Sequence, residues 1–310
     1  MPIENKPPLV LVGGIARSGN HLLRGLLDGV TTLAVPPDED FFARTLARSR
    51  RNLWKAWHCK PDHAVPFYRK MQKDGHFERL NSGASENSPN RRNLLDLDKY
   101  YARVQQEFQR FSLQHVCEAH FLALRDALRN ARDRRDPIRV SACPLSPHDD
   151  DFPTTCRLHS KFYSVRALVI YRDPLATYAS GKIRKYFGGI ERFCEAVEWF
   201  PDQIRMAKDQ FAVDVLPIAF GEMLQQTEQV MARVAAFIGI PFEPQMLSCT
   251  QNGEAVESNS SFQKTVAIDR KRANRVGPEA VGHVLSRDEI ELIQRRGAQY
   301  IWAMRSVSYG

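Results

Sequence analysis

Val10-Leu11-Val12-Gly13-Gly14-Ile15-Ala16-Arg17-Ser18-Gly19-Asn20-His21-Leu22-Leu23 reads as a buried strand, a tight glycine turn and the start of a helix. That order aims a row of backbone N–H groups, and the positive end of a helix dipole, at one spot. Such a spot binds phosphate or sulfate.

The spacing from Gly14 to Gly19 fits G-x-x-x-x-G, the frame of a phosphate-cradling loop. The next two positions separate it from an ATPase or kinase loop. Asn20 stands where those carry Lys, and His21 where they carry the Ser or Thr that holds magnesium. The stretch is therefore built for an anion, and magnesium-dependent ATP chemistry is disfavoured.

Working outward, strands alternate with helices. Leu9–Val12 and Leu33–Val35 read as strands around a helix from Gly19 to Gly29, and Ile138–Ala142 as a third strand. Ala167-Leu168-Val169-Ile170-Tyr171 is a continuous apolar run, as a central parallel strand covered on both faces requires. It ends in Arg172-Asp173-Pro174, where Asp173 caps a helix and Pro174 takes its first position. Further helices are expected at about 96–110, 117–131, 190–211 and 222–238, with a strand at 213–218 and a stop at Gly239 and Pro241. This is an α/β pattern: a central, mainly parallel sheet flanked by helices in three layers. The weakly periodic, basic and aromatic stretch at about 48–135 reads as a mostly helical insertion in one domain spanning 1–310. In such sheets ligands bind at the carboxyl ends of the strands. The loop at Arg17, the acidic cluster Asp38-Glu39-Asp40 and Arg172 all fall at such ends.

Net charge is +8, from 44 Lys and Arg against 36 Asp and Glu, which favours anionic partners or simple solubility. The six cysteines form no C-x-x-C pair, as expected of reduced thiols in a cytoplasm. Met1–Pro8 has no signal-peptide core, and no apolar run is long enough to span a membrane. His148-Asp149-Asp150-Asp151, between Pro147 and Pro153, reads as a solvated loop and not a metal site.

Arg17-Ser18-Gly19 with Leu22-Leu23 resembles the 5′-phosphosulfate loop of sulfotransferases that use 3′-phosphoadenosine 5′-phosphosulfate (PAPS). Val169-Ile170-Tyr171-Arg172-Asp173-Pro174, with Ser180 eight residues after Arg172, resembles their 3′-phosphate element. Phe220-Gly221-Glu222-Met223-Leu224, Ala236–Phe242 and Asn259-Ser260-Ser261-Phe262 are similar to later segments of the bacterial members, and all come in family order. Where the family carries Thr-Thr, this chain has Asn20-His21.

The resemblance implies sulfuryl transfer from PAPS, a co-substrate, to an acceptor hydroxyl, with no metal. Gly14, Arg17, Ser18, Gly19, Asn20, His21, Arg172 and Ser180 would bind PAPS, with Arg270 and Lys271 closing over its phosphates. Arg17 would stabilise transferred charge. Asp38, 21 residues after Arg17, is the first choice of catalytic base and Glu39 the second; His58, His63, His76 and His120 are alternatives. The insertion would shape a site for a glycan or a small metabolite, and no specific nucleic acid is implied. Rival readings are a non-catalytic nucleotide- or nucleic-acid-binding protein, kept alive by the missing Thr-Thr, and a kinase-like enzyme.

Overall fold

The computed structural model describes residues 6–36, 42–47, 63–73, 95–107, 112–128, 138–142, 151–251, 253–255 and 281–307. Through these the chain runs β1 (Pro8–Gly13), α1 (Asn20–Leu27), β2 (Leu33–Ala34), α2 (Phe42–Ala47), α3 (Ala64–Lys73), α4 (Leu97–Glu107) and α5 (Leu113–Ala127). It continues with β3 (Ile138–Ala142), α6 (Asp151–His159), β4 (Ser164–Tyr171), α7 (Pro174–Ile183), α8 (Ile190–Phe211), β5 (Asp214–Ala219), α9 (Phe220–Gln225) and α10 (Thr227–Ile238). The short strands β6 (Thr250–Gln251) and β7 (Glu254–Ala255) form a hairpin before α11 (Arg287–Gly297) and α12 (Tyr300–Ser306).

Five strands form one sheet in the order β2-β3-β1-β4-β5, and every pairing is parallel. Alternation along β1 and β4 divides the core. Leu9, Leu11, Ala167 and Val169 pack with the side that holds residues of α2–α8, α11 and α12. Val10, Val12, Leu168 and Ile170 pack with α1, α9 and α10. Both faces are buried by apolar side chains, and each fully buried Leu or Ile contributes about 1.5–3 kcal/mol. The three-layer α/β arrangement expected from the sequence is what forms.

The strand order fixes where a ligand sits. After β1 the chain crosses to β2 at one edge; after β4 it crosses to β5 at the other. The two connections diverge and open a crevice at the carboxyl ends of β1 and β4, the topological switch point.

Some expected boundaries move. The helix expected at 222–238 is two helices, α9 and α10, broken at Gln226 (φ −127°, ψ 44°). Helix α5 starts at Leu113 and not near 117, because the Ser112 side chain caps it by accepting from the His115 amide at 3.1 Å. Asp151 starts α6, with Pro153 in its first turn, so the expected loop ends there; residues 148–150 lie outside the described residues. Helix α10 stops at Gly239 (φ 78°), as the sequence anticipates.

Candidate functional site

The connection from β1 to α1 is a compact turn: the Ser18 amide donates to the Ile15 carbonyl at 3.0 Å. Helix α1 takes up bonding only with Leu22 and Leu23, whose amides both donate to the Gly19 carbonyl. The amides of Gly19 and Asn20 precede that first helical bond and belong to the loop. Asn20 ties the two ends of the turn together, its Nδ2 donating to the Gly14 carbonyl at 3.0 Å.

Two glycines are required by space and by backbone shape. A Cβ on Gly14 would lie 2.3 Å from the Ile170 carbonyl oxygen of β4. Gly19 has φ 116°, and a Cβ there would meet the Phe220 ring at 2.5 Å. Arg17 also adopts a positive φ, 72°, without being glycine. Left-handed backbone of this kind costs a residue with a Cβ about 1–2 kcal/mol. Ser18 is 1% exposed, and its hydroxyl hydrogen-bonds to nothing among the described residues; nor does the buried Oδ1 of Asn20. A buried hydroxyl of this kind is costly unless something else pairs with it.

The element after β4 is equally defined. Asp173 caps α7 by accepting from the Ala176 amide at 2.9 Å, and Pro174 opens the helix. Arg172 leaves the strand end with its guanidinium 4.7 Å above the Phe220 ring. Phe220, first residue of α9, therefore lies against both Gly19 and Arg172.

The two elements touch. Arg17 Nε donates to Ser180 Oγ at 3.2 Å, across 163 residues of sequence, and Ser180 is 3% exposed. Burial pulls the Arg17 guanidinium below its ordinary pKa, Arg184 adds to that shift, and Tyr186 opposes it. Arg184 caps the C-terminal end of α7, four residues after Ser180, close enough to act on Arg17. Phe187 pins the chain that follows: it fills the space over Gly181 and packs against Tyr178 and Phe193. Tyr186 remains 52% exposed at the edge of the crevice.

The structure thus brings together Gly14, Arg17, Ser18, Gly19, Asn20, His21, Arg172 and Ser180. Asp38, Glu39, Arg270 and Lys271 lie outside the described residues, as do His58 and His76. His120 belongs to the packed aromatic layer beside α5. It is fully buried, bonded to Tyr100 Oη through Nδ1 at 2.7 Å and stacked on Phe42 at 4.1 Å. His63 is exposed at the start of α3.

Three neighbours escaped the sequence reading of the site: Phe220, Arg184 and Tyr186. The spacing of Arg184 from Ser180 was an available signal; the approach of Phe220 to Gly19 is tertiary. Among the described residues no cluster of His, Cys, Asp or Glu has metal-binding geometry, and no helix is long and apolar enough to cross a membrane.

Solved structures that resemble the chain over nearly its whole length include two sulfotransferase domains. The sulfotransferase domain from the curacin biosynthetic pathway matches at TM-score 0.51 and 15% identity, covering 94% of this chain and 98% of that one. The sulfotransferase domain from the Synechococcus PCC 7002 olefin synthase matches at TM-score 0.51 and 17% identity, covering 99% and 97%. This chain has the sulfotransferase fold. No protein-family model matches it, and no curated protein does. The sulfotransferase fold agrees with the family suggested by Arg17-Ser18-Gly19 and Arg172-Asp173-Pro174, and the bridge from Arg17 to Ser180 joins those two motifs.

Proposed function

We propose that this protein is a sulfotransferase that takes its sulfuryl group from PAPS and passes it to an acceptor hydroxyl. The observation that carries the reading is the hydrogen bond from Arg17 to Ser180. It links the two elements read as anion-binding, which supports a ligand with a 5′-phosphosulfate and a separate 3′-phosphate. The residues fit that ligand: the Gly14–Gly19 turn leaves room that a Cβ would fill, and the Ser18 hydroxyl is buried and has no partner among the described residues.

Each residue has a role in this reading. The loop amides, Ser18, Asn20 and His21 hold the 5′ end. Arg172 and Ser180 hold the 3′-phosphate, with Phe220 fixing the Arg172 guanidinium from below. Arg17 neutralises charge on the group being transferred. Bound PAPS supplies the sulfuryl group for in-line transfer. The Asp38 carboxylate, or Glu39 in second place, takes the acceptor proton. Arg270 and Lys271 close over the phosphates. The chain acts as a single domain in a cytoplasm, and the segment 48–135 selects a glycan or small-metabolite acceptor.

Thermal shift with 3′-phosphoadenosine 5′-phosphate (PAP), ATP with magnesium, and an oligonucleotide tests the donor. Stabilisation by PAP alone is expected; stabilisation by ATP with magnesium or by the oligonucleotide instead supports the rival readings. Labelled PAPS with a panel of sugars and small alcohols then identifies the acceptor. Asp38→Asn should lower turnover about 100-fold or more while leaving PAP affinity unchanged; an unchanged rate removes Asp38 from the mechanism.

A further inference from the structure

Arg24 lies in the last turn of α1, yet it is only 8% exposed. Arginine is seldom so buried without a partner. Its Nη2 lies 2.8 Å from Nδ1 of His21, three residues earlier on the same helix face. A guanidinium has only N–H donors and no acceptor. Nδ1 of His21 must therefore carry a lone pair, and the imidazole proton must reside on Nε2. Protonating Nδ1 would set two donors against each other.

The helix around Arg24 is itself held. Asp28, one turn further on, is 5% exposed. Its Oδ2 accepts from Thr250 Oγ1 at 2.8 Å and from the Gly253 amide at 2.7 Å. Gly25 lies flush against Cys249, whose Sγ would be 2.3 Å from an added Cβ. The β6–β7 hairpin thus clamps the back of α1, and a long side chain beside it has little freedom.

We propose that Arg24 holds His21 as the neutral Nε2–H tautomer, making His21 a hydrogen-bond donor of the anion loop and neither a base nor a cation. Arg24 is then a positioning residue: it acts through His21. The arrangement supplies a donor where Thr-Thr of the resembling family would offer a hydroxyl, without adding charge beside Arg17. That His21 donates to a phosphosulfate rests on the function proposed above; its tautomer does not.

Long-range proton–nitrogen NMR on protein labelled with ¹⁵N-histidine reads the tautomer directly, with His21→Gln assigning one signal among the nine histidines. The expected spectrum shows His21 with a bare Nδ1 and a protonated Nε2, and Arg24→Met mixes the two tautomers. Calorimetry with PAP reads the role: His21→Ala weakens binding about tenfold, while His21→Gln, which keeps an N–H near the Nε2 position, stays within about threefold. An imidazolium or an Nδ1–H tautomer in the wild-type protein overturns the proposal, as does a His21→Ala variant that binds PAP like wild type. A wild-type protein that binds no PAP overturns the sulfotransferase reading and the donor role together, while the spectrum still decides the tautomer.

Discussion

The loop after β1 and the surroundings of His120 and Tyr68 beside α5 both bury polar side chains, and they treat them in opposite ways. Beside α5, the buried His120 and Tyr68 are answered locally. His120 bonds Tyr100 and stacks on Phe42, and the Tyr68 hydroxyl donates to the Val116 carbonyl. In the loop, the Ser18 hydroxyl and the Asn20 side-chain Oδ1 are buried without a hydrogen-bond partner among the described residues, and Arg17 holds a left-handed backbone. A satisfied, stacked histidine is a packing element that happens to titrate. A strained, under-satisfied loop is what folding tolerates when a ligand repays the cost. The contrast separates two kinds of conspicuous residue that look alike in a sequence.

Substitutions in the two regions should therefore have different signatures. The largest effect on ligand binding is expected from Gly14→Ala, because the added methyl must displace the Ile170 carbonyl of the central strand. PAP affinity should fall roughly 100-fold, near the upper end of overpacking costs; circular dichroism checks that the sheet persists. Near-normal PAP binding by that variant would show that the loop is not the anion site. Ser180→Ala removes one hydrogen-bond partner and leaves the fold intact, so a loss of about fivefold is expected by calorimetry. An unchanged affinity would reduce the link from Arg17 to Ser180 to a feature of packing. The smallest effect on PAP affinity, none, is expected from His120→Ala. That variant should instead lose about 2–3 kcal/mol of stability in urea unfolding. If it loses ligand affinity with full stability, the distinction between the two regions fails.

Much of this was legible in the sequence, for identifiable reasons. A parallel strand buried on both faces has to be a run such as Ala167–Tyr171, and a turn that passes under a neighbouring strand has to use glycine, as at Gly14. The caps were equally local, and Asp173-Pro174 and Gly239 behave as written. What escaped depended on other parts of the chain. The break at Gln226 interrupts an otherwise continuous helical pattern. Ser112 capped a helix earlier than its apolar stripe suggested. Phe220 reaches Gly19 and Arg172 only because β5 lies beside β4. The pairing of His21 with Arg24 was present as an i, i+3 spacing, but its meaning depends on the burial of Arg24, which only the fold shows. Asp38, Glu39, Arg270 and Lys271 stay sequence-based expectations, outside the described residues.

The central claim is that the loop at Arg17 and the element at Arg172 form one site for a nucleotide with phosphates at both ends of its ribose. Calorimetric titration of wild type and Arg172→Met with PAP and with adenosine 5′-monophosphate tests it most directly. The wild-type protein should bind PAP about 30-fold more tightly than the monophosphate, the worth of a charge-assisted contact to the 3′-phosphate, and Arg172→Met should abolish the difference. Equal affinity of the wild-type protein for the two nucleotides, or a preference for PAP that survives in Arg172→Met, would contradict it.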